Sequence, residues 1–283
     1  MEILVSPWEL RIRRAAELAE RYSEAREALR FYGQLTGFQQ DLIEALRASV
    51  ETGAAADRID LLLHPLREDH RSLLLRRFPE FLSLIQQVGP RVLAETAAAL
   101  DRSATHWPAL LDTYWTRRLQ DMPDPEAPDP LDFFAKAFLQ PYAALLSGGA
   151  TAGAANGDSP VRQGLGRCPL CRAWAQVSVL RPEGYGAARS LMCSLCGHEW
   201  RFKRVRCPAC GEEAFERLVV HRAQEVPHVR IGACESCMTY LKEVDLTQDG
   251  LAVPLVDEIA TVSLDLVATE RGYRKLELNL IGI

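Results

Sequence analysis

Cys168-Pro-Leu-Cys171, Cys193-Ser-Leu-Cys196, Cys207-Pro-Ala-Cys210 and Cys234-Glu-Ser-Cys237 punctuate a stretch of 70 residues and contain all eight cysteines of the 283-residue chain. Paired thiolates on a tight turn can face one tetrahedral ion, and two such turns supply the ligands of a four-cysteine site. The spacing is Cys-x2-Cys-x21-Cys-x2-Cys, then ten residues, then Cys-x2-Cys-x23-Cys-x2-Cys, with room for a hairpin in each long gap. Sequential pairing gives one site from Cys168, Cys171, Cys193 and Cys196 and a second from Cys207, Cys210, Cys234 and Cys237. Spacing alone also admits an interleaved pairing, in which the two sites form one cooperative unit. Cys168 to Cys207 is a step of 39 residues and Cys193 to Cys234 a step of 41, so two copies of one small module are expected. A module of fewer than about 40 residues gains little from apolar burial, and the ion is expected to supply much of its folding free energy.

Two metal ions, Fe or Zn, each coordinated by four cysteines, are the cofactors this pattern predicts. Zinc is the default for four thiolates, and iron in a rubredoxin-like site of four sulfurs is the sharper alternative, because a tetrahedral sulfur set suits both. Pro169 and Pro208 stiffen two of the turns, and Gly197 and Gly211 follow trailing cysteines, where glycine accepts a positive φ. Arg172 and Met238 stand in that place in the other two pairs, and those turns are expected to be made differently. His198 is read as a neighbour of a site rather than a ligand, since four thiolates already fill it. His221 and His228 are read as ordinary hairpin residues, and Trp200 as the cover of a small core.

Outward from this stretch, residues 1–147 read as helical. Ser6-Pro7-Trp8-Glu9 is an N-cap, a Pro at the first helical position and a Glu at N3. Ala15, Leu18, Tyr22, Ala25, Leu29 and Tyr32 recur at spacings of three and four, the stripe of a helix that packs on others. Further helices are expected near 38–50, 59–76, 79–88, 90–102, 105–119 and 130–147, with Pro79, Pro90 and Pro130 each suiting a start and residues 122–130 forming a stiff connector. Short β-like runs follow at 174–180, 187–192, 198–206, 214–221, 226–231 and 238–245. Pro254 to Arg271 reads as one helix with Leu255, Ile259, Val262, Leu266 and Val267 on its buried side. The expected organisation is a helical domain at 1–147, a flexible linker at 148–166, a first four-cysteine ribbon module at 167–206, a second at 207–250, and a C-terminal helix and tail at 251–283. The fold class is α+β and multidomain: an all-α N-terminal domain, two tandem rubredoxin-like or zinc-ribbon β modules, and a C-terminal helix.

The N-terminus lacks a basic segment followed by an apolar one, so no secretory signal is read, and reduced thiols with a metal are expected in the cytoplasm. The uncharged run from Ala137 to Gly157 contains Pro141, Ser147, Asn156 and several glycines, and reads as a helix end plus a linker rather than a membrane span. Net charge is −5, although residues 160–245 hold 13 Lys/Arg against 9 Asp/Glu. The run Arg201-Phe-Lys-Arg-Val-Arg206 interleaves cations with apolar residues as nucleic-acid ribbons do, but the overall acidity argues against that partner. Neither a phosphate loop, a complete dinucleotide fingerprint nor a zinc-hydrolase helix is present, and four thiolates leave no open coordination position.

The chain resembles the formate dehydrogenase accessory protein family, FdhE. The resemblance is carried by Phe133-Phe-Ala-Lys-Ala-Phe-Leu-Gln-Pro-Tyr142, the first two cysteine pairs with Gly197-His-Glu-Trp200, and Arg206-Cys-Pro-Ala-Cys-Gly211. It continues through Cys234-Glu-Ser-Cys-Met-Thr-Tyr-Leu-Lys242, Asp257-Glu-Ile-Ala-Thr-Val-Ser-Leu-Asp265 and Gly272-Tyr273. It implies a cytoplasmic maturation factor for a molybdenum- or tungsten-dependent formate dehydrogenase, one that binds the catalytic subunit, is not itself an enzyme, and holds iron through its cysteine motifs. A nucleic-acid-binding zinc ribbon and a rubredoxin-like electron-transfer or iron-sensing protein are the alternatives.

Overall fold

Ser6 caps the first helix through its side chain, its Oγ accepting the Glu9 N–H at 3.1 Å. In the computed structural model, which describes residues 5–50, 55–119, 130–148 and 165–282, this helix is α1 (Pro7–Arg21). It is followed by α2 (Arg26–Ser49), α3 (Ala55–Leu63), α4 (Glu68–Val88), α5 (Arg91–Asp101), α6 (Trp107–Arg117) and α7 (Pro130–Leu146). The predicted apolar stripe is buried at all six positions, but the chain leaves the helix at Tyr22, makes a short 3-10 turn, and returns as α2 against α1. Periodicity therefore identified the buried set without seeing the fold-back. Two further boundaries differ from expectation. The stretch through Gly33 and Gly37 stays helical inside α2, and Pro79 lies within α4 instead of starting a helix. Leu74, Phe78, Phe81, Leu82 and Ile85 are buried on either side of Pro79, and that burial outweighs the roughly 3 kcal/mol an interior proline costs. The connector at 122–130 falls almost wholly outside the described residues, as does most of the linker.

α7 is buried from Phe134 to Ala143 without a polar face, the signature of a helix packed on every side. Phe78, Phe81, Phe133, Phe134 and Phe138 interlock around it at ring-centroid distances of 4.9 to 6.4 Å. No described helix is long and apolar enough to cross a membrane.

The β region is one mixed sheet. Its strands are β1 (Ala175–Glu183), β2 (Gly186–Cys193), β3 (Glu199–Arg201), β4 (Leu218–Arg222), β5 (Val229–Cys234), β6 (Thr239–Asp245) and β7 (Arg274–Lys275), in the order β3-β2-β1-β6-β5-β4 with β7 also on β6. The two cysteine-bearing hairpins join edge to edge through a parallel β1–β6 pairing at Ser178↔Glu243, Val179↔Val244 and Leu180↔Asp245. Two further helices, α8 (Pro254–Ala260) and α9 (Val262–Glu270), replace the single helix expected at 254–271. The break at Thr261 turns the buried side, so that Leu264, Asp265 and Ala268 point inward while Leu266 and Val267 are exposed. α8 lies between α1 and α2 on one side and β1 and β6 on the other, and all seven of its residues are buried. A single apolar cluster runs from Leu29 and Phe138 through Cys168 and Cys193 to Tyr240 and Ile259, so the helices, the first cysteine cluster and the sheet share one core.

Truncating Phe138 to Ala should destabilise the protein by about 3–5 kcal/mol, read from urea denaturation. A loss below about 1 kcal/mol would show that the aromatic cluster is not the helical core.

Candidate metal centres

Each cysteine pair sits where a strand begins or ends. Cys168 and Cys171 precede β1, Cys193 ends β2 and Cys196 follows it; Cys207 and Cys210 lie before β4, and Cys234 and Cys237 join β5 to β6. The local turn repeats. The amides of Cys168, Cys193 and Cys207 donate to the carbonyls of Ala173, His198 and Glu212, five residues on, at 2.8–2.9 Å, and Cys234 faces Thr239 in the fourth knuckle. Every trailing position then takes a positive φ: Arg172 at 67°, Gly197 at 70°, Gly211 at 83° and Met238 at 55°. The expectation that Arg172 and Met238 mark turns of another kind is therefore wrong. All four turns are alike, because the geometry that brings two sulfurs together fixes the backbone whatever the side chain, and the two non-glycine residues carry the strain.

The pairing is sequential. Cys168, Cys171, Cys193 and Cys196 converge, as do Cys207, Cys210, Cys234 and Cys237, with all four sulfurs of each group within 4.8 Å of one another. Across the first group the Cys168–Cys196 and Cys171–Cys193 sulfurs are 3.7 and 3.4 Å apart, and across the second Cys207–Cys237 and Cys210–Cys234 are both at 3.7 Å. A tetrahedral ion with metal–sulfur bonds of about 2.3 Å sets its ligands about 3.8 Å apart, whereas a disulfide needs about 2.05 Å. The donor sets fit a metal ion in size and type. Charge gives the same answer. Burial pushes the Cys168 and Cys196 thiols well up; it acts on Cys171 too, but hydrogen bonds from Cys168, Cys193 and Cys196 outweigh it and hold that thiol well down. In the second group a hydrogen bond from Cys207 draws Cys237 down to about 4, while Cys207 itself is raised, first by that bond and then by burial. A divalent cation would stabilise all four thiolates of a set.

The two centres differ in their surroundings. The first is buried at all four cysteines, and side chains of the helical layer hold its knuckles. Gln140 donates to the Ser194 carbonyl at 2.7 Å, Arg118 to the Cys171 carbonyl at 3.2 Å and Ser147 to the Cys196 carbonyl at 3.4 Å. Gln39 in turn fixes Gln140 at 2.9 Å. Arg118 lies over the Trp115 ring and also donates to the carbonyls of Trp115 and Leu62; burial lowers its pKa, and the nearby Cys171 favours its charge. In the second centre Cys210 is exposed and Cys237 half-buried. Sequence reasoning passed over Gln140, Arg118 and Ser147, although a lone Gln inside the apolar run of α7 was a readable signal. His198 lies outside both groups and stacks on Trp200 at 6.2 Å, and Trp200 packs against Trp174, Leu191 and Leu241 as expected. The basic run is largely paired with acids, Arg201 with Glu183, and Lys203 and Arg206 with Glu213.

A family model described as FdhE, C-terminal domain, matches residues 205–281. Over those residues the chain resembles the FdhE C-terminal domain. It is similar to the protein FdhE homolog of Aquifex aeolicus, 40% identical over 116 residues that make up 41% of each chain. It is also similar to the homolog of Pseudomonas putida, 34% identical over 123 residues, 41% of this chain and 38% of that one. The chain thus spans about two fifths of the length of the curated relatives it matches. The crystal structure of the FdhE protein from Pseudomonas aeruginosa has the same fold, with a TM-score of 0.68 at 24% identity over 97% of this chain and 95% of that one. The resemblance read from the cysteine motifs and the tail is borne out.

The FdhE-like tail also builds a polar centre that spacing did not reveal. Adjacent acids of α8 reach opposite ways. Asp257 meets Arg14 of α1 at 2.6 Å and His228 at 2.9 Å, while Glu258 takes Lys275 and, at 3.1 Å, Lys242 of the sheet. Asp265 also accepts from Lys242 at 2.5 Å and from the Tyr240 hydroxyl at 2.8 Å. His228, Asp249 and Asp257 come close enough to hold an ion, but Arg14 already lies against both carboxylates and supplies the cation. His228 is accordingly a structural partner of α8, more than the ordinary hairpin residue expected.

Met238→Gly should stabilise the protein by about 1 kcal/mol by relieving the left-handed backbone, whereas Met238→Ala, which keeps the offending Cβ, should gain nothing; equal denaturation midpoints for the two would contradict this. Burial acts to raise the Glu258 carboxyl, but Lys242 and Lys275 outweigh it and lower it from 4.5 to about 2. The stability this contributes is complete above about pH 4.5 and lost as pH falls toward 2. Urea titrations over that window should show a smaller fall for Glu258→Gln than for the wild type, and parallel curves would exclude the ion network as the cause.

Proposed function

We propose that the protein is a non-catalytic accessory factor in the maturation of formate dehydrogenase, acting in the cytoplasm and binding the catalytic subunit through a scaffold that two metal ions hold in shape. The observation that carries this reading is the convergence of the eight cysteines into two four-sulfur sets within an FdhE-type fold. Cys168, Cys171, Cys193 and Cys196 would hold one ion, and Cys207, Cys210, Cys234 and Cys237 the other. Bound there, iron or zinc supplies a positive charge that ties two hairpin tips together. Four thiolates complete a tetrahedral shell and leave no position for substrate or water, which favours a scaffold over a hydrolase. The first set serves the shared core, where Gln140, Arg118 and Ser147 orient the knuckle carbonyls toward the helices. The second, with Cys210 at the surface, sits where a partner can reach it.

Co-purification of the tagged protein with the formate dehydrogenase catalytic subunit, with metal analysis of the same samples, tests the reading. Wild-type protein should carry two ions and capture the subunit. Cys234→Ser should lose one ion, leave the helical layer folded by circular dichroism, and lower capture by at least about tenfold. Cys193→Ser should lose the other ion and cost more stability, because it opens the common core. Undiminished capture by metal-depleted Cys234→Ser would overturn the proposal.

A further inference from the structure

The cross-strand register places Leu180, Arg189, Glu243, Arg230, Gly232 and Val220 on one face of the sheet. The opposite face, with Tyr240 and Lys242, is covered by α8 and α9. Over the first face lies a trough of about 250 Å³, with Cys207 and Cys234 of the second centre among the residues that line it. Four arginines line it, Arg189, Arg204, Arg206 and Arg230, against a single acidic residue, Glu243, in a chain whose net charge is −5. Glu243 occupies the Nε atoms of Arg189 and Arg230, at 3.0 and 2.9 Å. Arg206 is held more loosely: its buried Nε makes no hydrogen bond and meets Glu213 only as an ion pair at 3.6 Å. A buried guanidinium N–H without an acceptor favours an incoming anion. The floor is kept open by Gly232, where a Cβ would come within 3.3 Å of the Glu243 carboxyl. Apolar surface completes the site: Phe215 is 74% exposed and Val220 48% exposed at the rim. β4 is an edge of the sheet, paired among the described residues only with β5.

We propose that this trough seats an extended acidic segment of the partner protein, its carboxylates against Arg204 and Arg206 and its apolar side chains against Phe215 and Val220. The proposal deepens the partner-binding reading above and rests on it. The excess of guanidinium selects carboxylates, the edge strand accepts a backbone, and the apolar rim separates an amphipathic peptide from a small inorganic anion. Cys207 and Cys234 form part of the same wall, so a bound segment covers the second centre, and loss of the ion there removes part of the seat.

The test uses the full metal-loaded chain and a short, blocked, fluorescein-labelled peptide of alternating Glu and Leu, followed by anisotropy at low and high salt. The peptide should bind, weaken as salt rises, and lose at least about tenfold in affinity when Gln replaces Glu. Arg204→Gln combined with Arg206→Gln should cost a similar factor while metal content stays at the wild-type value; Phe215→Ala, at the exposed rim, should weaken the peptide without altering its salt response. Equal binding of the Gln peptide, or unchanged binding by the double variant, overturns the proposal. So does displacement of the peptide by equimolar pyrophosphate or oligothymidylate, which would mark a phosphate site. Capture of the catalytic subunit separates the two readings: unchanged capture by the double variant sinks the trough and leaves the partner standing, whereas peptide binding by a wild-type protein that captures no subunit sinks the partner alone.

Discussion

Four sulfur atoms brought to within 4.8 Å of one another, twice in one chain, impose the constraint on which the β region depends. Neutral thiols at that range gain little, and four bare thiolates repel one another in a site with little water to screen them. A cation held by each set would tie together hairpin tips that are otherwise joined by strands and knuckle turns. The left-handed backbone at Arg172 and Met238 has the same origin. The chain tolerates a conformation unsuited to those residues because four sulfurs must point at one place.

From that constraint the architecture spreads in two directions. The first centre faces the helical layer and is part of its core, so the knuckle carbonyls become hydrogen-bond acceptors for Gln140, Arg118 and Ser147. The second stays at the surface beside an arginine-rich trough. α8 joins the layers with two consecutive acids, Asp257 toward Arg14 and Glu258 toward Lys242 and Lys275. Buried pairs of this kind add little net stability over apolar packing, but they are costly to break, and they fix which way the short helix faces. That accounts for the buried acids Asp257, Glu258 and Asp265 inside a segment that is otherwise largely apolar.

Much of this was legible in the sequence, for identifiable reasons. Cysteine spacing carried the hairpins and left their pairing open between sequential and interleaved, and the stripe from Ala15 to Tyr32 named six buried residues correctly. What it did not carry was the third dimension of the same pattern. The fold-back at Tyr22, the persistence of α4 through Pro79 and the break at Thr261 are set by tertiary packing that overrides local signals. The fusion of both hairpins through β1 and β6 left no trace in either strand alone, since a parallel pairing across 65 residues has no local signature. The trough was hidden for a related reason: Arg189, Arg204, Arg206 and Arg230 come from three separate segments and meet only in the sheet.

The central claim is that both sulfur sets hold an ion, and X-ray absorption at the metal edge of protein purified without oxygen addresses it most directly. The account predicts two metal equivalents per chain with a shell of four sulfurs at about 2.3 Å and no nitrogen or oxygen ligand. A folded, metal-free protein with its cysteines joined as disulfides, or a mixed shell with fewer than four sulfurs, would contradict it.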